Sequence, residues 1–81
     1  MSIESQLLKY ISTEVVQGDQ NEVTLDEPLV ESGRIDSMGL LMIFGFVDQV
    51  YQFDMMSVGS PKDFTSISAM AALIRRIKGE D

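Results

Sequence analysis

The 81-residue chain has no cysteine and no histidine. Without cysteine there is no disulfide and no thiolate ligand for a metal. Without either residue the chain lacks its own thiol nucleophile and the side chain that most often moves protons near neutral pH. A self-contained enzyme is therefore disfavoured. Basic residues are scarce too: six Lys and Arg stand against thirteen Asp and Glu, for a net charge of −7. No basic stripe exists to neutralise phosphates, which argues against nucleic acid as a partner and against an anionic membrane surface. Long apolar runs are also missing. The longest, Met38 to Val47, has ten residues and ends at Asp48, against roughly 20 needed to span a bilayer. Met1-Ser2-Ile3-Glu4 shows neither the basic nor the apolar part of a secretory signal. The expectation is a cytoplasmic protein with no membrane insertion.

What is present describes a folded helical globule. The hydrophobic share of 44% is ordinary for one. The length allows a single small domain, residues 1–81, expected as a monomer. Ser2 is placed to cap a first helix over Ser2 to Gln17, with Ile3, Leu7, Leu8, Ile11 and Val15 as its apolar stripe and Gly18 as its stop. Residues 18–36 read as a long connection rich in acids. Leu25, Leu29, Val30 and Ile35 are spaced irregularly, as in a loop pinned at a few points. Asp19-Gln20-Asn21 has a faint likeness to a calcium loop but lacks the glycine and glutamate that such a loop needs, so no metal is expected.

A second helix is expected from Ser37 to Gln52, with Met38, Leu41, Ile43, Phe44, Val47, Val50 and Tyr51 as a wide apolar face. Leu40, Met42 and Phe46 extend the hydrophobic surface beyond the usual arc. Gly39 and Gly45 weaken this helix by roughly 1 kcal/mol each relative to alanine, and leave bare backbone on which something else can rest. Residues 54–61 read as turns, Pro61 as the start of a short helix around 60–64 capped by Ser60, and Thr65 or Ser66 as the cap of a last helix. Ile67, Met70, Ala71, Ile74 and Ile77 give that helix its stripe, basic residues complement its negative end, and Gly79 closes it. No alternating run demands a strand. The fold class is all-α: three longer helices, one short helix and a long first loop.

Gly33-Arg34-Ile35-Asp36-Ser37-Met38 is the stretch around which the rest is organised. Alone, Asp36-Ser37 at a helix start is a cap, since either side chain can accept a hydrogen bond from an early backbone N–H. In context it offers more. A serine hydroxyl at a helix N-terminus is well placed to hold a phosphodiester, because free N–H groups and the helix dipole both favour an anion. Asp36 could help a modifying enzyme position a metal and a phosphate donor, and Gly33 permits an unusual backbone angle just upstream. A chain with no thiol that handles acyl groups must borrow one.

Leu29-Val30-Glu31-Ser32-Gly33-Arg34-Ile35-Asp36-Ser37-Met38 resembles the phosphopantetheine attachment region of acyl, peptidyl and D-alanyl carrier proteins. Asp36-Ser37-Met38-Gly39 is similar to the D-alanyl version. Tyr51-Gln52-Phe53-Asp54 resembles the end of that family's second helix, and Phe64-Thr65-Ser66-Ile67 the start of its last. The resemblance implies a small four-helix bundle. It implies that Ser37 is esterified by 4′-phosphopantetheine from coenzyme A through a phosphopantetheinyl transferase, and that the arm's thiol holds cargo as a thioester. By the same resemblance Asp36 assists the modification and Met38 contacts partner enzymes. The other partners would be an acyl- or aminoacyl-loading ligase and a downstream acyltransferase or synthase.

Fatty-acid carriers resemble one another in an acidic second helix. Here the comparable positions carry Gly39, Met42 and Gln49, and Asp48 alone keeps the charge. Partners are therefore expected to dock by apolar contact through Leu40, Met42 and Phe46, the alternative being that these residues are core. Aminoacyl cargo is preferred, with polyketide or specialised fatty acyl groups next. A chain that begins at methionine and ends soon after its last helix is expected to stand alone, not inside a synthase. The competing function is an unmodified acidic helical interaction module, with Ser37 only a cap.

Overall fold

The fold is described from a computed structural model, covering residues 2–16 and 23–79. Gly18 as a helix stop and the Asp19-Gln20-Asn21 stretch lie outside the described residues. Ser2 caps helix α1, Ile3–Tyr10, by accepting the Ser5 N–H at 3.1 Å. The helix continues as a π-helical turn, Ile11–Val15, in which the Val16 N–H reaches the Ile11 carbonyl at 2.9 Å. That i to i+5 bond changes the inward-facing spacing. Ile3, Leu7 and Ile11 are buried four apart, and the next buried residue is Val16, five further on. Leu8 and Val15, expected in the stripe, are half-buried and flank it.

Helix α2, Ser37–Tyr51, ends on Gln52 in the left-handed region at φ 62°. Residues 54–61, expected as turns, contain a short helix α3, Met55–Val58, capped by Asp54. Four residues are too few for periodicity to announce a helix. Pro61–Phe64 form a 3-10 turn where the short helix was expected. Of the two candidate caps for helix α4, Ile67–Lys78, Ser66 is the one that accepts the Ala69 N–H, at 3.1 Å. Gly79 closes α4 at φ 68°. No strand occurs among the described residues, and none of their helices is long and apolar enough to cross a membrane.

α4 is the inner wall of the bundle. Ile67, Met70, Ala71, Leu73 and Ile74 are all fully buried. α1 packs along α4, α2 packs against the π turn and α3, and the 3-10 turn rests on α4. Ile43, Phe44 and Val47 carry α2 into this core, and Phe44 meets Phe64 edge-on with ring centroids 4.8 Å apart. Each fully buried aliphatic side chain contributes roughly 1.5–3 kcal/mol.

Arg75 of α4 makes a bidentate ion pair with Glu4 at the first turn of α1. The guanidinium's hydrogen bonds, followed by Glu4's own backbone N–H, hold this carboxyl below the ordinary glutamate range. Asp63 is held low in the same sense, chiefly by the Ser60 backbone N–H. A depressed folded-state pKa contributes stability above the unfolded value and loses it as pH falls through the folded one. The urea midpoint should therefore drop as pH is lowered through and below the carboxylate range. A Glu4→Gln chain, already without this pair at neutral pH, should show a shallower fall over the same window.

Candidate functional site

The site is built where the first loop delivers the chain to α2. Leu29 is fully buried and Ile35 nearly so, with Val23 a further anchor. Leu25 and Val30, expected as pins, are exposed. Leu25 instead holds the loop through its backbone. Its carbonyl accepts the Ser68 N–H at 2.9 Å, and the Leu29 N–H donates to the Thr65 carbonyl at 2.8 Å. The loop is thus stitched to the start of α4. Glu27 fixes its interior, accepting the Thr24 N–H at 2.8 Å and pairing with Arg34 at 3.1 Å. Gly33 takes φ 82°, a value that L side chains rarely adopt.

Asp36 is the N-cap of α2. Its Oδ1 accepts the Gly39 N–H at 3.0 Å, and its carbonyl accepts the Leu40 N–H at 3.0 Å. Ser37 is the first residue of the helix and is exposed. The amides of Ser37 and Met38 belong to the opening turn, where backbone donors have no partner within the helix. A hydroxyl in open solvent, beside free donors at the positive end of a fifteen-residue helix, suits a covalently held anionic group. Asp36 is also exposed and lies beside it in sequence.

The expected faces of α2 need correction. Met38, Leu41 and Val50, expected on the inward apolar face, stand in solvent at 68%, 52% and 46% exposure. At 100° per residue, Met38, Leu41 and Met42 fall together on the side opposite Ile43, Phe44 and Val47. Met42, expected to dock partners, does lie outward at 42% exposure. Leu40 and Phe46, expected with it, do not. Phe46 is half-buried and stacks on Tyr10, ring centroids 4.2 Å apart and planes 18° from parallel. Leu40 is half-buried in the wall of a cleft of about 430 Å³ that it shares with Val30, Phe44, Met56, Pro61 and Phe64. The sequence reading missed this cleft, because its walls come from the loop, α2, α3 and the 3-10 turn. The only signal in the sequence is the cluster of Met56, Pro61 and Phe64 around the turns, which does not by itself predict a pocket.

No family model matches the chain. A curated relative from Serratia sp. (strain ATCC 39006), described as the probable acyl carrier protein PigG, is 31% identical over 80 residues, covering 94% of this chain and 88% of its own length. Among solved structures, a chain described as "Crystal structure of FAD-dependent dehydrogenase" superposes with a TM-score of 0.72 at 25% identity, covering 84% of this chain and 97% of that one. The helical fold, the exposed serine that opens α2 and the near full-length likeness to PigG agree. Members of this family are carriers, not enzymes, and the chain belongs to the acyl carrier protein family.

Proposed function

We propose that this protein holds an aminoacyl group as a thioester on a 4′-phosphopantetheine arm attached to Ser37, and delivers it to partner enzymes in the cytoplasm. The observation that carries the proposal is the exposed Ser37 at the first position of α2 in a carrier-family fold. The arm supplies the thiol that this cysteine-free chain lacks. The chain's own residues do the rest. Ser37 Oγ forms the ester to the arm's phosphate. The opening amides of α2 and the helix dipole face that anion. Asp36 has two tasks, holding the first turn as its cap and offering its second carboxylate oxygen to the transferase during attachment. The cleft beside Leu40 is the proposed resting place for apolar cargo.

Asp36-Ser37-Met38-Gly39 and the nearly uncharged outer face of α2 support aminoacyl cargo over bulk fatty-acid synthesis. The likeness to the FAD-dependent dehydrogenase chain adds a partner class. That chain is almost wholly covered by this one and is therefore carrier-sized. A flavin-dependent dehydrogenase acting on tethered cargo joins the proposed set of transferase, loading ligase and downstream synthase.

Mass spectrometry after incubation with coenzyme A and a phosphopantetheinyl transferase should show one added arm on the wild-type chain and none on Ser37→Ala. Material from the native host should carry an aminoacyl group or its oxidised form. An unmodified native chain would leave Ser37 as no more than the first residue of α2, behind the Asp36 cap. Asp36→Asn keeps a capping oxygen, so its stability should stay near wild type while arm attachment slows. Asp36→Ala should lose about 1 kcal/mol as well, read from urea unfolding. The docking face is proposed at Met38, Leu41 and Met42. Leu41→Gln with Met42→Gln should change stability by no more than about 0.5 kcal/mol per site, yet slow arm transfer with the transferase as probe partner. Phe46→Gln, by contrast, should destabilise the fold through loss of its stack on Tyr10.

A further inference from the structure

The first turn of α2 is approached unusually closely from behind. A Cβ at Gly39 would lie 2.9 Å from Val15 Cγ1 and 3.2 Å from Ile35 Cβ. The first distance is shorter than real Cβ contacts allow, so a side chain at 39 forces something to move. Gly39 is buried, two residues after Ser37, and its N–H is the one Asp36 caps. Gly45, on the same helix, has no atom within 4 Å of the equivalent position. The two glycines of α2 therefore differ: one is required by contact, the other is not.

Val15 reaches Gly39 because it sits at the end of the π turn. The i to i+5 bond from Val16 to Ile11 sends Val16 into the core and leaves Val15 half-buried against α2. π turns are rare and are found frequently at functional sites; this one ends the first helix. Ile35, which presses on Gly39 from the loop side, is itself buried and hydrogen-bonded through its N–H to the Leu29 carbonyl at 3.2 Å. The opening turn of α2 is thus gripped between the end of the first helix and the end of the first loop.

We infer that Gly39 and Val15 are positioning residues for arm attachment: their backbone-to-side-chain contact sets where the Ser37 hydroxyl stands when a phosphopantetheinyl transferase engages the chain. Neither touches the arm. A methyl at 39 pushes the first turn away from Val15, and the serine moves with it. The transfer needs the hydroxyl in line with the donor phosphate, and a displacement near 1 Å at a reacting group costs about a hundredfold in unfavourable cases. The inference rests on the proposed attachment at Ser37.

Gly39→Ala separates this from a packing role alone. Alanine is the better helix former, so Gly45→Ala should raise the melting temperature, whereas Gly39→Ala should not. Arm transfer is then followed by mass spectrometry with coenzyme A and a transferase, at a temperature where every variant is folded by circular dichroism. In Gly39→Ala, kcat should fall by about tenfold or more, with KM for coenzyme A unchanged. Val15→Ala with Gly39→Ala removes the clashing methyl and should return kcat to within about threefold of wild type, the coupling expected of touching residues. If Gly39→Ala does not fold, the double variant carries the test alone: recovery supports the contact, and a folded but slow double variant overturns it. A folded Gly39→Ala chain that takes the arm at the wild-type rate overturns the inference and leaves Ser37 attachment standing. A wild-type chain that takes no arm removes both.

Discussion

Two backbone hydrogen bonds hold the functional end of this molecule in place: Ser68 N–H to the Leu25 carbonyl, and Leu29 N–H to the Thr65 carbonyl. Backbone groups taken from water without partners cost about 1–3 kcal/mol each, so these bonds do more than decorate the loop. They fasten it to the start of α4, the most buried helix. Leu29 and Ile35 then fill the space beneath, and the Glu27–Arg34 pair holds the loop's interior. By the time the chain reaches Asp36 it has little freedom left. A carrier supplies position and no chemistry of its own. The anchoring of this segment therefore fixes where Ser37 is presented, and in the proposed function reach is left to the arm.

α2 faces two ways. Its inward side is ordinary core. Its outward side exposes Met38, Leu41 and Met42 with almost no charge among them. An exposed apolar strip on a small globular protein invites self-association. The net charge of −7 opposes this by keeping copies apart. The acids of the loop other than Glu27 and Asp36 therefore contribute through their summed charge. It also favours basic partners at long range, more so at low salt.

The three longer helices were legible because their ends carry explicit chemistry: Ser2 and Asp36 as oxygen caps, Ser66 before the last stripe, Gly79 after it. The Asp36-Ser37 stretch stood out as a motif and through its likeness to carrier proteins, and it does open α2, with Asp36 as the cap; attachment there is the proposal. Other features depend on contacts that no local pattern encodes. The π turn sends Val16 into the core and sets Val15 against α2, and a five-residue step cannot be told from a four-residue one across so short a stretch. The facing of α2 was misjudged for Met38 and Leu41 because ten consecutive apolar residues carry no amphipathic signal. For Leu40 and Phe46 the same run left docking and core both open, and the structure half-buries them. Gly39 and Gly45 look alike in sequence, and it is the approach of Val15 and Ile35 that tells them apart.

The outward strip of α2 has one more consequence, which lies in sulfur. Two of its three side chains are thioethers, and Met56, exposed and lining the neighbouring cleft, offers a third. Unbranched, polarisable side chains mould themselves to differently shaped surfaces. That would suit the proposed docking of this face to more than one partner enzyme. The same atoms are open to peroxide. Conversion to sulfoxides would make the strip polar while the buried residues beneath it stay as they are, and would test whether the strip is the docking face proposed for it.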